Sequence, residues 1–461
     1  MLGRGSLFTL GTAAPILAQV LVTPFVTRIL SPDRYGTVAQ AIVVIQVTMM
    51  LASLGMPSVI TRQALMTENG IARARSLFGR ASGLTLAMGA IAAAITYAAL
   101  SSHDATQRWT WVFALLAGTG FVVTENGQAF LRATDRPLAF ISISAVTMLG
   151  GPVLGLVALV GIERNPVSYV GGLAVGYLLA GVVAAAVCWG PRAFIPGDML
   201  TALKLGLPIL PHMVALYLLS MSLVLIAADR YGVSASGRIQ LALLLGTAPN
   251  VITSSLNNSW APTVFAAPES ERGAVLAHTA RDIARIAALI SSGVALLSPW
   301  LLMIIADDSY DPNALVSTVG VVCVGSTLSV AYLANVHLVF ASGRPAGLSL
   351  ITPVSLVVGA GAAWGLGHLS LEWIAAGFPI AYLTLALGVA WLRRHIGGPA
   401  WREIGLLGPF ALGALLIAAG AFLPATGTAS LLRWPLAVAA GVLLLLLLRQ
   451  VFRRDPALPA A

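Results

Sequence analysis

The chain is a succession of apolar runs separated by short polar connections. A run of about twenty apolar residues is the length a helix needs to cross a hydrocarbon layer of about 30 Å. Read this way, the pattern predicts about fourteen spanning helices, at 7–30, 37–60, 81–101, 110–131, 138–162, 167–189, 207–230, 239–262, 283–306, 314–342, 347–368, 372–392, 404–423 and 433–449. The expected fold is an all-α polytopic membrane protein. The connections, such as SSHDATQR, ERNP and DDSYDP, are too short to hold a separate domain. The two longest hydrophilic ones, Thr61 to Arg80 and Ala266 to Asp282, are basic. They read either as amphipathic helices on the membrane surface or as solvated linkers.

The first run departs from a plain anchor. Leu7 to Gly36 is interrupted by Pro15 and Pro24 and carries Gln19, Thr23, Thr27 and Arg28. Each proline removes a backbone donor and frees a carbonyl, which lipid tolerates only where protein or water satisfies it. This helix is expected to bend and to line something polar.

Composition changes the picture little. Of 461 residues 58% are hydrophobic and only 9% charged, against about a quarter charged in a soluble domain. Net charge is +9, but the basic residues lie in loops between apolar runs, so the bias reads as topology and not as nucleic-acid binding. An even number of spans puts both termini on one side. That side holds 19 of the 26 basic residues and the other 7, which orients both ends toward the cytoplasm. Cys188 and Cys323 both fall inside apolar runs, so no disulfide or metal framework follows.

A repeat is visible in two places. Pro15 precedes DRYG at Asp33 to Gly36 by the spacing at which Pro211 precedes DRYG at Asp229 to Gly232, and a long inner connection follows the second and the eighth span. The halves expected are two six-helix bundles in pseudo-twofold relation, 1–195 and 196–396, with an extra two-helix hairpin and tail at 397–461.

The segments TRILSPDRYGTVAQA, LGMPSVITRQA, AADRYGVSASGRIQLA and SWAPTVFAAPESERG resemble the polysaccharide flippases of the multidrug/oligosaccharidyl-lipid/polysaccharide exporter superfamily, over about the first twelve spans. The resemblance is to the branch that moves undecaprenyl-pyrophosphate-linked sugar repeat units across the bacterial inner membrane. Lipid II flippases share the fourteen-helix layout, whereas multidrug and toxin exporters usually have twelve spans. The resemblance implies two bundles around a cationic cavity that opens alternately to each side, and a lipid groove at the last two helices. It implies no enzyme activity and no cofactor. The partners it implies are the lipid-linked glycan, membrane lipids, and glycosyltransferases and a polymerase upstream and downstream.

Candidate residues follow from charge and position. Guanidinium geometry suits a pyrophosphate, and Arg28, Arg62 and Arg230 lie at ends of the first, second and seventh spans. The bland reading is that they snorkel to the headgroups. Glu125 shares a helical stripe with Gln128 and Arg132. It and Asp229 are the candidates for ion coupling, the alternative being structural pairs. Asn250, Ser254 and Asn257 share a face of the eighth span. With Gln19 they are candidates for sugar hydroxyls, or else simply pack helices together. His337 reads as a proton relay or as a histidine bonded to a neighbour.

No nucleotide loop, metal spacing or hydrolase signature occurs. Energy for transport is therefore expected from an H+ or Na+ gradient, the membrane potential, or consumption of the flipped product. The potential favours outward movement of an anion by about 2.3 kcal/mol per charge per 100 mV. The alternatives are a lipid II flippase, a cation-coupled multidrug exporter, and a membrane glycosyltransferase or polymerase, which the short outer loops disfavour.

Overall fold

The computed structural model describes residues 18–191, 198–342 and 344–454, and among these there is helix and no strand. The first half runs α1 (Ala18–Ile29), α2 (Pro32–Ser53), α3 (Met56–Met66), α4 (Gly70–Ala99), α5 (Ala105–Ala133), α6 (Pro137–Gly161), α7 (Pro166–Val187) and the short α8 (Asp198–Gly206). There follow α9 (Leu210–Tyr231), α10 (Val233–Gly246), α11 (Ala248–Ala266), α12 (Arg272–Ile305), α13 (Val316–Ala341), α14 (Leu348–Leu366), α15 (Leu371–Ile374), α16 (Gly377–His395), α17 (Leu407–Phe422) and α18 (Arg433–Arg454).

Every predicted run falls on helix, the first being described only from Ala18. Among the described residues eleven helices are long and apolar enough to cross a membrane. The three predicted runs outside that set are α1, α5 and the α10–α11 pair. The first of these is described over only twelve residues of an apolar helix, Ala18–Ile29, and the three together carry most of the candidate residues.

Two compact units divide at Leu218 and Leu219, inside α9. In the first, α5 is the hub, packed on α2, α3, α4, α6 and α7. In the second, α13 takes that place, packed on α10, α11, α12, α16 and α17. The C-terminal hairpin belongs to the second unit, where α17 packs on α12 and α13 and α18 packs on α12.

The two long basic connections form no helix of their own. The first is the end of α3, a turn at Thr67–Asn69 and the start of α4, and the second is a turn at 267–271 and the start of α12. Hydropathy marks where a helix meets lipid. These helices simply continue past that point with charged residues.

The second and eighth runs are not continuous helices. The α2–α3 break sits at Leu54 and Gly55, both in the left-handed region, and the α10–α11 break at Thr247. The sequence around each is the same device: LGMPSVIT at 54–61 and LGTAPNVIT at 245–253. Thr61 Oγ1 donates to Pro57 O at 3.0 Å, and Thr253 Oγ1 to Pro249 O at 3.1 Å. The break is thus a second element of the repeat, stronger than DRYG.

DRYG itself braces each unit. Arg34 Nη1 donates to Arg164 O at 2.7 Å, in the turn before α7. In the second unit Arg230 lies 4.1 Å from the Trp364 ring centroid and Tyr231 Oη donates to Gly367 O at 2.7 Å. By this register Arg230 is the counterpart of Arg34, not of Arg28.

Candidate functional site

In the first unit α1 presents Thr23 and Thr27 to the interior, and their hydroxyls donate to Gln19 O and Thr23 O of the same helix. This back-bonding bends helices and removes free hydroxyls. Pro15 lies outside the described residues. Arg28 is exposed and donates to Pro24 O at 2.8 Å, Arg62 is exposed near the end of α3, and Gln19 is half-buried.

On α5 the predicted stripe is shared with α6. Gln128 Nε2 donates to Ser144 Oγ at 3.0 Å, and the Arg132 guanidinium lies 5.7 Å from the Phe140 ring centroid. Glu125 is half-buried, within electrostatic reach of Arg132 and Tyr217. The neighbouring Asn126, which carries no signal in the sequence, is fully buried, and neither of its amide atoms has a partner. Gly89 packs on Thr119, which sets the antiparallel register of α4 and α5 and brings Ser82, also without a partner for its hydroxyl, level with Asn126.

In the second unit the polar face of α11 meets α13. Asn250 Oδ1 accepts from Ser329 Oγ at 3.2 Å, and Ser326 Oγ donates to Gly246 O at 2.7 Å beside the α10–α11 break. Asn257 Oδ1 lies 2.7 Å from His337 Nε2. Ser254 is exposed on α11, and Asp229 is exposed at the end of α9. The structure thus joins Asn250 and Asn257 to α13, and these pairs do not include Ser254.

Around Asn257 and His337 is a cavity of about 530 Å3, also lined by Phe265, Arg272, Tyr332 and Phe340. Sequence reasoning placed Arg272 in a linker and passed over the aromatics, because aromatic residues in an apolar run carry no signature of their own. A second cavity, of about 350 Å3, opens between α12, α17 and α18. Its walls are Leu412, Leu443, Leu446 and Leu447, with Arg285 and Gln450 among the lining residues.

The fold is found in solved membrane transporters. An inward-facing multidrug resistance MATE family transporter of the MOP superfamily superposes with a TM-score of 0.66 at 16% identity, covering 84% of this chain and 98% of that one. An outward-facing form of such a transporter gives 0.62 at 14% identity, covering 85% and 94%. The lipid II flippase MurJ, in an inward closed conformation, gives 0.70 at 10% identity and covers 99% of both chains. The class is therefore that of a multi-pass membrane protein with the MOP-superfamily fold. Within it, residues 3–267, more than half of the chain, match the family described as polysaccharide biosynthesis protein, and the chain belongs to that family. No curated protein matches it.

Proposed function

We propose that the protein is a flippase that carries undecaprenyl-pyrophosphate-linked oligosaccharide repeat units from the cytoplasmic to the periplasmic leaflet of the bacterial inner membrane, by alternating access. One observation carries the reading: a chain of the polysaccharide biosynthesis family is covered to 99% by the lipid II flippase fold. The transporter structures cover 84 to 85%. The leucine-lined cavity against α17 and α18 supports a place for a polyprenyl tail. Arg285 at that cavity supports a charged headgroup nearby.

In this reading Arg28, Arg62 and Arg230 attract the pyrophosphate, and Asn250, Ser254, Asn257 and Gln19 meet sugar hydroxyls. Glu125 or Asp229 couples transport to an ion gradient, and both termini lie in the cytoplasm. No bond of the substrate is made or broken, so the protein is no enzyme. Glycosyltransferases supply the substrate and a polymerase consumes it.

The test is deletion of the gene, labelling of lipid-linked sugars, and complementation with wild type or Arg28→Ala. Repeat units should accumulate on the inner leaflet and surface polysaccharide should be lost. Arg28→Ala should fail to restore it at normal membrane levels. Accumulation of peptidoglycan precursors instead would assign lipid II, which the MurJ likeness favours as the second reading. A change in drug susceptibility alone would sink both.

A further inference from the structure

The cavity beside His337 is built differently from a gap between lipid-facing helices. His337 is 3% exposed, it is among the residues that line the cavity, and its buried Nδ1 atom has no partner. The ring cannot turn freely. Its Nε2 is held at 2.7 Å by Asn257 Oδ1, and Trp260 stands edge-on against it with centroids 4.6 Å apart. Trp260 is itself fixed, its Nε1 donating to Thr279 Oγ1 of α12 at 2.7 Å. With Nε2–H donating to the amide oxygen, Nδ1 carries a lone pair and calls for a donor. Burying such a group without one costs free energy comparable to a lost hydrogen bond.

The remaining walls say what kind of donor. Phe265, Tyr332 and Phe340 supply ring faces, and the Asn257 amide supplies further donors. Rings with an amide and an imidazole acceptor suit a sugar ring, which offers C–H faces and hydroxyls that both give and take. Arg272 adds a charge. Its Nε and Nη2 donate to Ala267 O and Phe265 O, which aligns the guanidinium on the cavity wall. It belongs to none of the ion pairs among the described residues. The adjoining cavity, about 180 Å3, shares Arg272 and adds Arg344, Ser342 and one carboxylate, Glu269. The mouth is thus net positive. The volume lies within the range of about 300 to 1,000 Å3 that small-molecule pockets span.

We propose that this cavity, wholly inside the second unit, is a binding pocket for a hexopyranose ring with an anionic group beside it. The ring hydroxyl donates to His337 Nδ1, the ring face lies against the aromatics, and the anionic oxygens meet Arg272. That chemistry has two sources, the sugar-phosphoryl end of a carrier-linked glycan and an acidic residue within the glycan. The proposal rests on the flippase reading for its choice of sugar. It concerns a site apart from Arg28, Arg62 and Arg230 named there.

The test is calorimetric titration of the purified full chain in lipid nanodiscs. The probes are the 1-phosphates of glucose, galactose and N-acetylglucosamine, then glucuronate and galacturonate, then the free neutral sugars. An anionic probe should bind about tenfold or more tightly than its neutral sugar, and Arg272→Gln should remove that difference. Binding by the phosphates alone assigns the sugar-phosphoryl end, and binding by the uronates alone assigns an acidic residue. His337→Phe should abolish binding by removing the Nδ1 acceptor while keeping a ring of similar size. Phe340→Ala, at a half-exposed ring, weakens binding without disturbing the interior and serves if His337→Phe does not fold. Failure of all probes, or binding that Arg272→Gln and Phe340→Ala leave unchanged, overturns the pocket. Because titration does not measure transport, an empty pocket with an intact flipping phenotype refutes this site alone. Probe binding without that phenotype refutes the flippase reading and leaves the pocket standing.

Discussion

Gly55 and Gly206 meet backbone to backbone. A Cβ built on Gly55 would stand 2.6 Å from Gly206 O, and one on Gly206 would stand 2.3 Å from Leu54 O. The contact seats α8 against the α2–α3 break, and Gly55 holds φ +71° there. Only glycine satisfies both demands.

Gly55→Ala is therefore expected to destabilise the first unit by about 2 kcal/mol or more, since it adds a left-handed penalty to a backbone overlap. Gly83→Ala is the control. That glycine is exposed on α4 with nothing within 4 Å of a new Cβ, and the change should stabilise by up to about 1 kcal/mol. Unfolding followed in mixed micelles compares the two, and equal effects would refute the account.

Arg433 is fully buried, and its partners are all carbonyls: Pro424 O, Gly420 O, Leu423 O, Ala295 O and Leu296 O. Ala295 O is the acceptor that Pro299 leaves without an N–H, and Gly420 O and Leu423 O lie at the end of α17. Arg433→Met should cost about 3 kcal/mol. Arg433→Lys should recover only part of it, because an ammonium cannot fork to carbonyls on several sides. Stability of the two variants that did not differ would count against this bonding pattern.

Arg230 over Trp364 tests whether a guanidinium that braces a helix also serves transport. A double-mutant cycle of Arg230→Gln and Trp364→Leu should return a coupling of about 1 kcal/mol in stability. If Arg230 also meets pyrophosphate, Arg230→Gln will lower surface polysaccharide further than Trp364→Leu does at matched membrane levels. The reverse order would confine Arg230 to bracing.

Asp104 caps α5 outside the spans, accepting from Thr106 N at 2.9 Å, and the bonds from Thr106 hold its carboxyl below the usual carboxylate range. The folded value lies below the unfolded one. Its contribution is therefore fully present above the unfolded value and fades as pH falls through the folded one. The protection factor for hydrogen exchange at the first turn of α5, taken against the intrinsic rate at each pH, should fall on acidification in the wild type. In Asp104→Asn, which still caps but does not titrate, that pH dependence should vanish.

The class of fold was legible in the sequence because lipid imposes a crude rule, one apolar run per helix. Candidate-site detail was legible only where a residue type is out of place in such a run, as with Glu125, Asn257 and His337. Arg433 read as one more outer arginine, since its partners are backbone atoms brought from α12 and α17. Asn126 was invisible beside Glu125 because burial, not identity, makes it unusual. The break repeated at LGMPSVIT and LGTAPNVIT was present in the letters, but a one-residue insertion hid it from a search for equal spacing.

The carbonyl cage around Arg433 also imposes an order of assembly. Ala295 and Leu296 leave the ribosome long before Arg433 does, so until then the carbonyl that Pro299 frees has only the Ser298 hydroxyl of its own helix, at 2.7 Å, as a donor. The second unit can close only when the last hairpin arrives. A nascent chain stalled short of α18 should thus remain a substrate for membrane quality-control proteases, and release of the final residues should end that susceptibility in a single step.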